Sequence, residues 1–541
     1  MRIANILPVV AIGLAVIWIS PLRRAMYADE LFVSPAGENW RLGSSRESAF
    51  RTVQRAADVA RAGTTIVILP GVYPEWLRIR HGGDPGRPVT FRADTPGTVT
   101  LTGAAGREVV GALEWNHEGQ GLYSAEPPWP VYRMTMDGRV LLNVRWGGVS
   151  NLLRFCSRPD AQGAFAYVEG KVHLSLANGV NPSTAALSIN RKAPNPGLWG
   201  FWRAANVWIE ADHVVLDGLR LVWGLGSSVR LWDSSYVAVR NTLMTGAQCG
   251  VNGSGLQAGA GLVIENCLYH NDGQRQWRDG WLSKAEAYAF ENARLVSGSG
   301  PGVRVKHNLV VSSHDGISVS PRALADPAWS EVAYNVIAGC IDDAAEFDGQ
   351  ANHVWFHHNL VYDCHQSLGL SPVLGGPVII EKNAFLHPRT GINQANLKLL
   401  NPWWQKPLPL SGPIRNVTLR DNLFTGRWLS WHATARTRDL AIQSNVFAVA
   451  AAQSRPWPPG VVETGNRYLD LSQIEYPDPA GDVEWLRARL DAAGLGATRL
   501  SPGPLGAPWQ IPRPGPAWYD WSELALTAAL RRKLDASEYV R

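Results

Sequence analysis

The chain has 541 residues, 45% of them hydrophobic and 18% charged, with 53 glycines, 36 prolines and 24 tryptophans. That glycine and proline load suits many tight corners and falls short of a disordered composition. A formal net charge of only +5, with Lys and Arg spread out rather than run together, argues against nucleic acid as a partner and leaves an acidic glycan open.

Residues 3–19 are apolar apart from Asn5, with Arg2 ahead of them and Ala28 before Asp29. A positive start, an apolar core and a small residue near the expected cut form an export signal. The run is at the short edge of membrane-spanning length and carries Pro8, while the following Arg23 and Arg24 are atypical of a cleaved signal and leave an uncleaved anchor open. We therefore expect 1–28 to be a signal peptide or membrane anchor. The body of the protein is expected to be secreted or periplasmic, tethered to the membrane if this segment is retained.

Residues 29–108 read FVSPAG, then SAFRTVQRAADVARAG, then TTIVILPGVYPEWLRIR and GRPVTFRAD, ending at VTLTG. The pattern predicts a helix capped by Ser48, with Phe50, Val53, Ala57 and Ala60 on one face and Gly63 closing it. Short strands are predicted at 66–69, 77–79, 89–91 and 99–101, each cut by Gly, Pro or Asp. This order resembles the N-terminal cap and first coils of pectate-lyase-like right-handed parallel β-helix proteins. The resemblance implies an all-β solenoid whose open first coil is covered by a helix, since a bare end would expose both core and strand edges.

Residues 109–200 read as antiparallel hairpins with turns at Asp137–Gly138 and Glu169–Gly170, an inserted β-rich lobe beside the solenoid. From 201 to 450 a repeat emerges on Asn241, Asn266, Asn308, Asn335, Asn359, Asn383, Asn422 and Asn445, with spacings of 25, 42, 27, 24, 24, 39 and 23. Apolar residues alternate on either side of the Asn in texts such as VRVKHNLVV, VWFHHNLVY and VTLRDNLFT. A fixed period of this size marks a stacked array, and one Asn per coil predicts an internal hydrogen-bonded ladder. Residues 451–541 form a Pro-rich extension with helical patterns at 483–493 and 521–536. Five cysteines without CxxC spacing argue against a zinc site, while Cys340 and Cys364, each five residues past a ladder Asn, fall on neighbouring coils as stacked thiols or a disulfide.

Counting seven residues beyond successive ladder asparagines gives Asp315, Asp342 and Gln366, with His314 and His365 one place earlier on the first and last of these coils. Asp343, Glu346 and Asp348 follow closely, the latter two expected nearer the rim. Adjacent carboxylates split their proton affinities, which glycoside hydrolysis requires of its acid and its base or nucleophile. The candidate catalytic residues are therefore Asp315, Asp342, Asp343 and His314. The Asp342–Asp343 pair and the His314–Asp315–Gly316 element resemble polygalacturonase-like hydrolases of this fold. Here, however, the His-Gly element carries an extra Asp and precedes the pair, and Arg304–Val305–Lys306 also lies before the acids.

A lyase would need a base beside a uronate carboxylate and a charge neutraliser; Arg304 and Lys306 with an acid-bound calcium would supply these. Trp277, Trp281, Trp329, Trp403 and Trp404, lying in insertions and loops, are candidate sugar-stacking residues, with Arg304, Lys306 and His365 as further substrate contacts. Three readings stand: a glycoside hydrolase acting through an Asp pair, a polysaccharide lyase or epimerase acting on a uronate-containing glycan, and a non-catalytic glycan-binding envelope protein. No cofactor motif is present, and calcium enters only with the lyase reading.

Overall fold

The computed structural model describes residues 29–144, 149–150, 152–153, 163–194, 204–254, 259–271, 293–297, 300–320, 328–387, 395–400, 412–431, 436–451, 457–470 and 514–519. Short β-branched and aromatic strands cut by left-handed corners cannot cover their own apolar faces, so they stack. The result is the parallel β-solenoid that the repeat predicts. Its first face is a 13-stranded parallel sheet from Glu30–Val33 to Val461–Thr464. The second face carries Leu309–Val311, Val336–Ala338 and Leu360–Tyr362, and the third Asp343–Glu346, Gln366–Leu370 and Ala395–Leu399. Inside, Phe356, Phe385, Phe424 and Phe447 stack with centroids 6.4, 4.6 and 5.1 Å apart.

The corner between the first two faces has one recipe. A left-handed residue turns the chain (His307, Tyr334, His358, Lys382, Asp421 and Ser444, φ 53 to 58°) and a buried Asn follows it. In the ladder, the backbone N and Nδ2 of Asn335 both donate to Asn359 Oδ1, each at 2.9 Å, and Asn359 repeats this onto Asn383. Nδ2 of Asn335 also donates to Val305 O at 2.8 Å.

The ladder runs from Asn308 to Asn466, so it extends past residue 450 and starts later than the spacing predicted. Leu243 pairs with Leu268 and Leu268 with Leu309, which places Thr242 and Cys267, not Asn241 and Asn266, at the ladder position. Those two asparagines are the left-handed residues one place earlier (φ 48 and 53°). Asn tolerates that conformation as readily as it fills the ladder, and the alignment slipped by one.

Val207 pairs with Leu77, so the segment between Thr102 and Ala205 leaves and rejoins the solenoid between consecutive coils. It forms two sheets, antiparallel but for the parallel pairing of Leu142–Asn143 with Gly163–Val168, and their Asp137–Gly138 and Glu169–Gly170 turns have both φ positive, as type I′ hairpins require. Arg133 lies over the Trp223 ring and Ile341 packs against the lobe's apolar cluster of Leu122, Leu142, Val144, Leu152, Ala164 and Ala166, so the lobe flanks the solenoid from one coil to the other.

The capping helix is Val53–Val59 and its N-cap is Thr52, not Ser48. Phe50 instead bridges to Val33, and Glu75 accepts from Val53 N and Gln54 N at the helix start. Cys340 and Cys364 are buried free thiols, with Cys340 N donating to Cys364 Sγ at 3.4 Å. Residues 1–28 and both C-terminal helical patterns lie outside the described residues, among which no helix is long and apolar enough to cross a membrane. Residues 514–519 return to the wall: Gly515 N donates to His307 O and Trp518 Nε1 to Asn241 O, each at 2.8 Å.

Asn359→Leu would leave the Asn335 backbone N–H and one Nδ2 hydrogen without their acceptor and remove three further bonds, from Asn359 Nδ2 to Val332 O, His357 O and Asn383 Oδ1. It should cost about 1–3 kcal/mol, read as a lower urea midpoint, whereas Val462→Thr on the exposed first face should stay within about 0.5 kcal/mol. Equal midpoints would contradict an internal ladder.

Candidate functional site

The third face carries the chemistry. The ladder sets Asp315 opposite Asp342, yet Ile317 pairs with Ala345, one residue further along. Asp342 N donates to His314 O at 2.8 Å while Gly316 N donates to Asp343 O at 2.9 Å. The chain therefore bulges at Asp342–Asp343, and both face Asp315. Asp343 N reaches Asp315 Oδ1 at 3.3 Å. All four predicted catalytic residues, His314, Asp315, Asp342 and Asp343, come together, each buried.

Two cations that the sequence reading missed organise them. Arg294, on Arg294–Ser297, holds Asp315 at 2.7 Å and Glu346 at 2.5 Å. Lys398, on Ala395–Leu399, pairs closely with Asp343 and lies 3.6 Å from Asp342. Each cation is thus clamped between two acids. Glu346, expected at the rim, belongs to the cluster, with 21% of its side chain exposed against 3% for Asp315. Asp348 accepts from Ser371 N at 2.6 Å. Both cations are lone charges in otherwise apolar strands (ARLV, ANLKLL), a signal available in the sequence but hidden by the insertions that precede each strand.

Gly369 makes the Lys398 clamp possible. Glu346, Gly369 and Lys398 occupy one row on successive strands. A Cβ at 369 would sit 2.5 Å from Asp343 Oδ2, in the space where Lys398 and Asp343 meet.

The environment drives the acids apart. Burial pushes the Asp315 carboxyl up, but Arg294 and His314 outweigh it and hold Asp315 below the usual carboxylate range. Asp343 is pushed well above that range by burial and by Asp342, against the pull of Lys398. Burial also raises Glu346 despite Arg294. Burial disfavours charge on Lys398 and Arg294, yet the neighbouring carboxylates win and both stay cationic. Burial and the neighbouring carboxylates thus favour a proton on Asp343 and on Glu346, while the two cations keep theirs.

Ligand atoms of His314, Asp315 and Asp342 lie within 4.8 Å of one another and could receive a cation. An imidazole nitrogen in that set suits zinc or manganese better than calcium, which favours oxygen ligands throughout.

The other predicted contacts are dispersed. Arg304 and Lys306 lie on the first face, where Lys306 is neutralised by Glu331 at 2.7 Å, so they do not join the acids. Trp329 is 45% exposed beside the first face, edge-on to His353 at 5.2 Å. His365 is half-buried in the coil that follows the Asp pair, its N donating to Cys340 O at 2.9 Å. Trp277, Trp281, Trp403 and Trp404 lie outside the described residues.

Asp343 yields a signed pH dependence. Folding raises its proton affinity above the ordinary value of 3.8. Stability from that proton is therefore present below the unfolded value and lost as pH rises through the folded one. Asp343→Asn does not titrate, so its melting temperature should fall less than that of the wild type as pH rises from about 4 toward 8. Parallel curves would mean that Asp343 is not a proton holder.

No family model matches the chain. The uncharacterized protein YwoF of Bacillus subtilis (strain 168) is 41% identical over 75 residues, a match spanning 14% of this chain and only 16% of that relative. Among solved structures the chain is similar to XylC in complex with xylose, with a TM-score of 0.50 and 14% identity over 81% of this chain and 83% of that one. It is also similar to a mannuronic acid-specific polysaccharide family 6 lyase from the human gut microbiota, with a TM-score of 0.40 and 11% identity over 89% of this chain and 95% of that one. These are likenesses of fold, that of the parallel β-helix.

Proposed function

We propose that the chain is an exported carbohydrate-active enzyme that hydrolyses a glycosidic bond in a polysaccharide at the third-face acid cluster. The observation that carries this reading is that one guanidinium, Arg294, joins a carboxylate held ionised to one pushed toward its protonated form. Glu346, the more exposed of the two, protonates the leaving oxygen. Asp315 supplies the carboxylate that attacks the anomeric carbon or stabilises its developing positive charge. Asp343, which shares Lys398 with Asp342, holds a further proton, and His314 beside Asp315 helps to keep its carboxylate ionised. XylC with its xylose and the mannuronic acid-specific lyase point to a glycan substrate.

Elimination remains the competing chemistry. If a lysine were its base it would have to be deprotonated, and Lys398 is held cationic while Lys306 is paired on another face. Incubation with a polysaccharide panel separates the two: new reducing ends without absorbance of an unsaturated uronate support hydrolysis, and that absorbance overturns it in favour of a lyase. Glycan affinity with neither product would mean a binding protein.

On a substrate that the parent cleaves, Asp315→Asn and Glu346→Gln should each lower kcat by about two orders of magnitude or more with little change in KM, because both groups act on charge that develops in the transition state. Loss of Glu346 should remove the alkaline limb of the pH-rate profile. Wild-type turnover in both variants would place the chemistry elsewhere.

A further inference from the structure

The third face carries a second constellation. Arg78, Trp208 and Arg230 occupy one row on successive strands, Leu77–Ile79, Ala205–Ile209 and Leu219–Trp232. Their guanidinium carbons lie 5.9 and 5.2 Å from the Trp208 ring centroid, one on each neighbouring coil. Trp232 ends the strand that carries Arg230, its ring 6.1 Å from Trp208 and tilted by 34°. Trp232 is 45% exposed, so one face of its ring is open to solvent beside the arginines. Arg80 adds a third guanidinium, and Glu210 lies 2.6 Å from Arg78 and 3.7 Å from Arg80. Counting Asp233 beside Trp232, cations outnumber carboxylates here by three to two.

This constellation is continuous with the acid cluster. Arg230 pairs in register with Asn252 and Asn252 with Ser297, and Ser297 ends the strand that begins with Arg294. Two coils separate the Trp232 strand from the Arg294 strand, about 10 Å at the inter-strand spacing, and the Asp315 coil is one further, about 14 Å away. The polar Asn252 and Ser297 bridge the interval. The inserted lobe walls the same stretch, touching the solenoid at Trp223 on the Trp232 strand and at Ile341 beside Asp342.

We propose that Trp232, with Trp208, Arg230 and Arg78, forms a distal subsite for an anionic polysaccharide whose chain runs along the solenoid axis into the acid cluster. The exposed indole offers a flat apolar surface to a sugar ring, and Arg230 engages its carboxylate or sulfate, while Arg78, held by Glu210, steadies the Trp208 ring from the other side. Trp208, held between two arginines, fixes the tilt of that surface. The inference rests on the carbohydrate-active reading and adds a substrate class and a direction of binding.

Affinity electrophoresis in gels containing polygalacturonate or alginate tests it, with neutral galactomannan as the control. The full chain should be retarded by at least one anionic polymer and not by galactomannan, and salt should weaken the retardation. Trp232→Ala and Arg230→Gln should each weaken it roughly tenfold while melting temperature stays at the wild-type value. Three results overturn the proposal: no retardation by either anionic polymer, equal retardation by galactomannan, or variants retarded as strongly as the wild type. A fall in melting temperature matching the loss of retardation would also overturn it, because the Arg–Trp–Arg stack would then only hold coils together. Retardation is read without turnover, so its failure leaves the acid–base reading standing, and a failure of the acid variants leaves the subsite standing.

Discussion

The row of buried asparagines is the constraint from which the rest of the molecule follows. Each ladder amide takes two hydrogen bonds from the preceding coil and returns its own to backbone further back, so it is satisfied only when coils are stacked at one spacing in one register. That forces every outward position into a row with its equivalents about 4.8 Å apart. Opposite charges neighbour one another along one such row: on the first face Arg240 pairs with Glu265 and Glu265 with Lys306, while Glu381 pairs with Arg420. Lys306 is itself occupied by Glu331 from the next strand.

The candidate site arises where that regularity is broken twice. A one-residue bulge at Asp342–Asp343 brings two carboxylates, not one, against Asp315. The missing side chain at Gly369 then opens a gap through which Lys398 reaches back over a whole coil to meet them. Without both departures one carboxylate instead of two would face Asp315, and Lys398 would not meet Asp343. Local violations of an otherwise uniform pattern are where chemistry is expected to concentrate.

The same distinction decides what could be read from the sequence. Solenoid, cap, hairpin turns and most of the ladder were legible because they repeat or because Gly–Asp turn chemistry is local. The four buried catalytic candidates were legible because counting from the ladder Asn gives the right coils. Asn241 and Asn266 misled because Asn suits two adjacent roles, the left-handed corner and the ladder itself. Arg294 and Lys398 were missed because the long insertions before them erase the count, and Glu346 was set at the rim because a bulge cannot be seen in spacing alone. Ser48 looked like a helix cap, but Thr52 is the residue that the Glu75 carboxylate and the Phe50 bridge leave at the helix start.

The returning segment 514–519 changes how the stack behaves as a whole. In a solenoid each coil touches only its neighbours, so stability is a sum of local terms and opening can begin at any weak interface. The weak interfaces here are the coils where Thr242 and Cys267 replace the ladder Asn. Gly515 and Trp518 bond to backbone carbonyls on either side of them, at His307 and Asn241, and Arg220 lies over the Trp518 ring. A stretch more than two hundred residues away in sequence is thereby fastened across the least-stitched part of the wall. Opening of these coils therefore also requires the release of a segment that belongs to a distant part of the chain.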